Sequence, residues 1–390
     1  MDSILRCYGY EVLIRDLVRA SGCDLFDGQG RRIVDLEAGV WCACLGHNHP
    51  RITAAVRRQL DALTHVGYRA TAPIVERAGA ALLDALAMKD GKCVLLSSGT
   101  EAVELALLAS RRVTGRSRFV TLEGTYLGAF GASSRSRPDE WITVPGTACP
   151  SCLGGVLCAG HAARLEALNL EDVAAFVFEP GNASGLVRLP PTPLVRALAA
   201  QVKESGGLLV VDEVTTGFGR TGAWFGFEHY GLKPDSVALG KGLGNGYPVS
   251  AAAFSYEMSC ALERLDFRHA QSHQDDPLGC AVANEVLAVL REEGWVERAA
   301  LLGERLLDAL RDLARRKGAV TDVRGRGLMS VLEFRPDGTG FSLAEVHRRL
   351  LGKGFLAGFK PSARILRFYP PLVLPEPEVD RLLAALEELL

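Results

Sequence analysis

The sequence has no apolar run long enough to span a bilayer, no low-complexity tract, no internal repeat and no long block of like charge. The first absence removes a transmembrane helix, which takes about 20 apolar residues. The opening MDSILRCYGYEVLIRDLVRA mixes charge into every turn, so neither a signal peptide nor an anchor is expected there, and the protein reads as soluble and cytoplasmic. Without low-complexity or like-charge tracts, disorder is not an organising theme. Lys and Arg total 44 against 46 Asp and Glu, a net charge of −2, which gives no electrostatic case for nucleic acid or an anionic membrane as partner.

What is present is apolar residue in quantity: 48% of 390 residues, enough for one large core and a smaller one. Of ten cysteines, Cys7, Cys23, Cys93, Cys260 and Cys280 stand alone and read as small buried hydrophobes. No secretory signal accompanies them, so a disulfide framework is not expected. Cys42-Ala43-Cys44 and the group Cys149, Cys152, Cys158 stand apart from these.

From about residue 50 onward, short apolar runs alternate with amphipathic helical patterns. KCVLLSS, RFVTLEG, VAAFVFEP, LLVVDEV, SVALG and VSAAAFS read as strands, and PLVRALAAQVKESGG as a helix ending in a Gly pair suited to a C-cap. This alternation predicts a mainly parallel α/β sheet. The last hundred residues differ. One long helix over 277–314 leads to VTDVRGRGLMSVLEF, a further helix, ARILRFYPPLV and a closing helix, which together suggest a smaller α+β domain.

Three segments carry chemistry. Lys241, in ALGKGLGNGYPVSA, follows an apolar strand among glycines that let backbone approach a flat ligand, and no neighbouring acid holds the amine. Desolvation there lowers its pKa and frees it as nucleophile and base; a solvated loop Lys is the alternative. A Walker loop is excluded because Asp235 and Gly242 stand where Gly and Ser or Thr are needed, and the glycine spacing is wrong for a dinucleotide fingerprint. Asp212 ends the run LLVV, where a carboxylate is costly unless paired, either with a cationic ligand or in a structural salt bridge. Ser98-Gly99-Thr100 sits between strand and helix and offers an anion site, or an ordinary N-cap. A Schiff-base Lys, an anion for a pyridine nitrogen and a phosphate cradle are the demands of pyridoxal phosphate chemistry.

Together the segments resemble the class III (subgroup II) aminotransferases, pyridoxal phosphate enzymes of fold type I. The resemblance runs from DGQGRRIVDLEAGVWCACLGHNHPRI to ILRFYPPLVLPE and is most specific in VVDEVTTGFGRTG followed by LGKGLGNGYPVSA, with 29 residues from Asp212 to Lys241. It implies a large domain (51–290) with a mainly parallel seven-stranded sheet flanked by helices, and a smaller α+β domain (291–390). Residues 1–50 would contribute to the small domain and the active site. It further implies that Lys241 carries the cofactor as a Schiff base and Asp212 binds the pyridine nitrogen. Val214 would pack behind the ring, Tyr126 stack on its other face, and Gly99 and Thr100, with Ser98, hold the phosphate. Glu179, in EPGNASG, and Thr215 belong to the same cofactor-binding set. Ser272, in HAQSHQDDPLG, would reach the phosphate of a partner subunit, which implies a homodimer with shared active sites. The substrates implied are an amino acid and a 2-oxo acid.

The chain also departs from the family pattern. Tyr126-Leu127-Gly128-Ala129 lacks the Arg of ornithine-type members, and Thr215 stands where a Gln is common. Ser184 stands where dual-specificity members place a Glu that masks a substrate-binding Arg, here Arg367. An unmasked Arg367 is expected to clamp an α-carboxylate, favouring α-amino acids over ω-amines. Pairing of Arg367 with another acid is the alternative. Trp41 resembles the pocket aromatic of amine-type members, or is a core Trp.

TACPSCLGGVLCAGH gathers Cys149, Cys152 and Cys158, with His161 just beyond: ligand types of a structural zinc or iron–sulfur site. Free thiols in a tight turn or a redox-labile pair are the alternatives. Three other functions use or lose the same residues. An amino-acid racemase or epimerase would need a proton donor opposite Lys241, from Cys42, Cys44, Tyr126 or water; an aminomutase is a further isomerase, and a non-catalytic regulator would bind cofactor without turnover.

Overall fold

The structure is a computed structural model of the 390-residue chain and describes every residue except 1, 2, 8, 10, 147, 148, 153, 154, 182–184, 339 and 340. The main sheet has seven strands in the spatial order Lys92–Leu96, Ser250–Phe254, Ser236–Leu239, Leu208–Asp212, Val173–Phe178, Arg118–Leu122 and Trp141–Val144. The last five pair in parallel, while Ser250–Phe254 runs antiparallel to both neighbours. The connection 240–249 is too short for a helical crossover, which takes about a dozen residues, so the chain turns straight back.

Both faces of this sheet are covered, which is why its central strands read as unbroken apolar runs. All of Val173–Phe178, Ser236–Leu239 and Ser250–Phe254 is buried. Along Leu208–Asp212, Leu209 and Val211 enter one core and Val210 the other, where the buried residues of the helix Gly99–Thr114 also lie.

Two smaller sheets complete the fold. Leu17–Ser21, Asp24–Asp27 and Arg32–Asp35 form an antiparallel set that Phe355–Leu356 extends in parallel, so the beginning of the chain is stitched to its last quarter. Val320–Arg326, Met329–Phe334, Ile365–Phe368 and Gly358–Lys360 form an antiparallel sheet beside the helix Trp295–Arg316. Among the described residues no helix is long and apolar enough to cross a membrane.

Two local expectations change. The edge strand Trp141–Val144 was not among the strands read from the sequence. The single helix expected over 277–314 is two, Pro277–Glu292 and Trp295–Arg316, broken where Gly294 takes φ 68°. That left-handed conformation is open to glycine at little cost and ends the first helix.

Candidate active site

The residues singled out in the sequence gather at the carboxyl ends of neighbouring parallel strands, where open α/β sheets take their ligands. Asp212 closes the strand Leu208–Asp212, Glu179 follows Val173–Phe178, and Lys241 follows Ser236–Leu239. Lys241 itself has φ 39°, a strained setting of the kind kept at functional sites. Close backbone approach shapes one wall: a Cβ on Gly99 would come within 2.7 Å of Val214 Cγ1, and Gly240 lies against the same Val214 and the Gly99 backbone.

Asp212 is only 4% exposed and accepts a hydrogen bond from the Val214 amide at 3.0 Å. Burial pushes its carboxyl up to about 7, against that hydrogen bond and the attraction of Lys241. Burial likewise draws the Lys241 ammonium down, with Asp212 the largest opposing influence. Lys241 Nζ donates to Thr215 Oγ1 at 2.8 Å, so the residue that departs from the family's Gln holds the amine. Neighbouring Glu213 is also pushed up to about 7 by burial, but it accepts from the Thr216 hydroxyl and the Gly226 and Phe227 amides and is a structural brace.

At the start of the helix Gly99–Thr114, Ser98 and Glu101 form a capping box. Glu101 Oε2 accepts from the Ser98 amide at 2.8 Å and its hydroxyl at 3.1 Å, so those Ser98 donors are already engaged. Ser98 thus caps the helix, and the first-turn amides of Gly99 and Thr100 are the donors left for an anion. Thr100 Oγ1 accepts from the Ala129 amide at 3.2 Å, and Glu179 Oε2 from the Tyr126 amide at 3.2 Å, which ties the segment bearing Tyr126 to the site. Tyr126 is 49% exposed and Ser272 is exposed as well.

Trp41 belongs to a small buried apolar cluster and also lies beside Lys241 and Arg367. Ala38, Gly39, Val40 and Trp41 all have positive φ, a left-handed turn costly for Val and Trp. It places the Trp41 ring 5.0 Å from Lys241 Nζ and 5.1 Å from Arg367 Cζ, stacked on Tyr369 at 4.9 Å.

The expectation of an unmasked Arg367 fails. Arg367 Nη2 donates to Glu37 Oε2 at 2.9 Å and Nε to Oε1 at 3.3 Å. The reason is electrostatic: a guanidinium only 5% exposed needs a counterion, and Glu37 precedes the left-handed turn on the same side of the site. Burial pushes the Glu37 carboxyl up, opposed first by Arg367. Sequence reasoning passed over Glu37; an acid in LEAGVW beside a pocket Trp was the available signal. The Ser184 position lies outside the described residues.

Of the candidate proton donors, Cys44 donates Sγ–H to Gly242 O at 3.3 Å, and burial pushes its thiol up to about 12. Cys42 is raised by burial too, with Lys241 opposing. Cys149, Cys152 and Cys158 are elsewhere, after the edge strand Trp141–Val144 and three strands across the sheet from Asp212.

This donor set fits pyridoxal phosphate. A buried carboxylate short of a counterion suits a protonated pyridine nitrogen, a lowered Lys amine suits an aldehyde, and free first-turn amides suit a phosphate.

The family model of class III aminotransferases matches residues 8–390. An acetylornithine aminotransferase from Methanopyrus kandleri is 35% identical over 96% of this chain and 94% of its own. A 5-aminovalerate aminotransferase from Pseudomonas aeruginosa is 30% identical over 95% of this chain and 92% of its own. An amine transaminase from an uncultivated Pseudomonas species, solved with pyridoxal phosphate bound, superposes with TM-score 0.89 at 26% identity, covering 100% of this chain and 98% of that one. These relatives are transaminases by name, which favours transfer over the racemase and epimerase alternatives. The match over nearly the whole chain and relatives at 30% identity or more establish that the chain belongs to the class III aminotransferase family.

Proposed function

We propose that Lys241 and Arg367 are the two poles of the substrate site, the amine end of an amino acid at the first and its carboxylate at the second. The observation that carries this is the position of Trp41, whose ring lies 5.0 Å from Lys241 Nζ and 5.1 Å from Arg367 Cζ, so both poles share one wall. Transfer runs from an amino acid to a 2-oxo acid, each presenting a carboxylate to the same guanidinium.

Bound pyridoxal phosphate supplies an aldehyde for the substrate amine and a ring that withdraws electrons from Cα. Asp212 would hold a proton on the ring nitrogen. Gly99 and Thr100 amides would take the phosphate, with Val214 and Tyr126 placed to flank the ring. Lys241 Nζ removes the Cα proton, its basicity set by burial and its position by the Thr215 hydroxyl. Glu37 must yield its hold on Arg367 before a substrate carboxylate can enter, so the pair sets how readily α-carboxylates are taken. A homodimer in which each site borders the partner would cover Ser272 and Tyr126, both exposed in the single chain, and sedimentation velocity tests for it.

The test is the absorption spectrum of purified enzyme before and after single L-amino acids, with no 2-oxo acid present. Conversion of the bound cofactor to a stable amine form, with one 2-oxo acid released, is the expected result. An unchanged spectrum with solvent deuterium entering Cα would overturn it in favour of an isomerase.

A further inference from the structure

Four soft-donor side chains converge at the outer edge of the main sheet, in the segment joining the strand Trp141–Val144 to the helix Ala159–Glu166. One ligand atom from each of Cys149, Cys152, Cys158 and His161 lies within 4.8 Å of all the others. Cys149 and Cys158 Sγ are 4.0 Å apart, and His161 Nδ1 is 3.2 Å from the Sγ of both Cys152 and Cys158. We propose that these four residues form a closed structural zinc site that pins this segment to the edge of the sheet.

The spacing suits one ion. Zinc–sulfur bonds of about 2.3 Å place the sulfurs of a tetrahedral site about 3.8 Å apart, so the observed geometry needs little adjustment. A disulfide needs sulfurs about 2.0 Å apart, and all these cysteines are free. An iron–sulfur cluster spreads its thiolates over separate irons, whereas these donors surround a single point. Thiolates with one imidazole select zinc over magnesium or calcium, which take oxygen ligands.

The surroundings are arranged for the same purpose. His161 Nε2–H donates to Pro145 O at 3.2 Å, which fixes the tautomer and turns the Nδ1 lone pair toward the sulfurs. The Cys158 amide donates to Cys152 Sγ at 3.4 Å, which orients that sulfur. Gly146, at φ 117°, leaves room for the imidazole; a Cβ there would collide with it. Cys152 and His161 are 1% and 7% exposed. Thiols are weak hydrogen-bonding groups, so their convergence on a buried imidazole gains little unless an ion joins them. Four protein ligands leave no open coordination position, so the site stabilises and does not catalyse. Ion binding there contributes directly to folding.

The full-length enzyme, expressed with zinc supplied and purified without chelator, should hold about one zinc per chain by elemental analysis. Mercurial titration of the thiols should release it. Cys152→Ser and His161→Ala should each cut the zinc by about tenfold or more while bound pyridoxal phosphate, read by its absorbance, stays unchanged. Should the variants not fold, cobalt(II) exchanged into the unaltered protein should show the intense red-region bands of tetrahedral thiolate coordination. Zinc below about one-tenth equivalent in the unaltered protein, zinc that persists in the variants, iron with acid-labile sulfide, or octahedral cobalt bands would each overturn the proposal. None of these readouts depends on amino transfer.

Discussion

Arg367, on the strand Ile365–Phe368, and Glu37, at the entry to the left-handed turn that carries Trp41, form a forked ion pair with side chains only 6% and 15% exposed. A buried pair of this kind is weak as a source of net stability, but losing one partner strands the other charge. Glu37→Gln and Arg367→Met should each destabilise the enzyme by about 3–5 kcal/mol, while the double variant should lose much less than their sum. Denaturant unfolding of the four proteins measures this; additive losses would mean the two side chains act independently.

The same pair predicts a split in kinetics. With Glu37→Gln, the guanidinium no longer has to shed a carboxylate, so KM for the 2-oxo acid should fall by about tenfold, equivalent to about 1.4 kcal/mol, with kcat little changed. Arg367→Met should raise KM for the same acid by at least that factor. Steady-state kinetics on both variants checks the signs, and an unchanged KM in Arg367→Met would remove this residue from the substrate site.

Lys241→Ala deletes the group placed to take the Cα proton. The half-reaction with an amino donor should slow by at least about 10²–10⁴-fold. Single-turnover absorbance reads the step directly, and a smaller loss would shift the proton transfer to another group.

Asp212 and Glu213 are both raised by burial to about 7, from 3.8 and 4.5. In the cofactor-free protein they bind more protons folded than unfolded across that interval, so stability should fall as pH climbs from about 4 to about 7. Their contribution is complete below the unfolded carboxylate range and gone above about 7. Asp212→Asn removes one of the two, so Tm of the apoprotein should fall less steeply across this window, with Glu213 supplying the remaining slope. Equal slopes would mean that Asp212 is ionised throughout.

Gly99→Ala tests the wall behind the cofactor. The added Cβ would stand 2.7 Å from Val214 Cγ1 and 2.9 Å from its Cγ2, and overpacking of this sort costs about 1–3 kcal/mol. Tm should drop, and pyridoxal phosphate should dissociate faster on dilution. Gly99→Ala combined with Val214→Ala should recover part of both losses.

The sequence by itself determined the class of chemistry and the frame that holds it. Lys241 and Asp212 were legible through the order and 29-residue spacing of VVDEVTTGFGRTG and LGKGLGNGYPVSA, which carry the family resemblance; taken locally, a loop lysine and a structural salt bridge stayed open. Six of the seven main strands were legible because each carries a short run of consecutive apolar residues, which is visible without any partner. The edge strand Trp141–Val144 has only four residues, with exposed Thr143 breaking its apolar run, and gave no such signal.

Tertiary structure alone decided the rest, because it concerns residues far apart in the chain. Glu37 and Arg367 are separated by 330 positions, and nothing local in either segment names the other. Their meeting follows from Phe355–Leu356 pairing with Arg32–Asp35, which brings the two ends of the chain together, and it turns a supposedly open carboxylate clamp into a closed one. Ser98 shows the same limit at short range. Its sequence allowed either a phosphate ligand or a helix cap, and only the fold shows the bonds that its amide and hydroxyl make to the Glu101 carboxylate, one turn on.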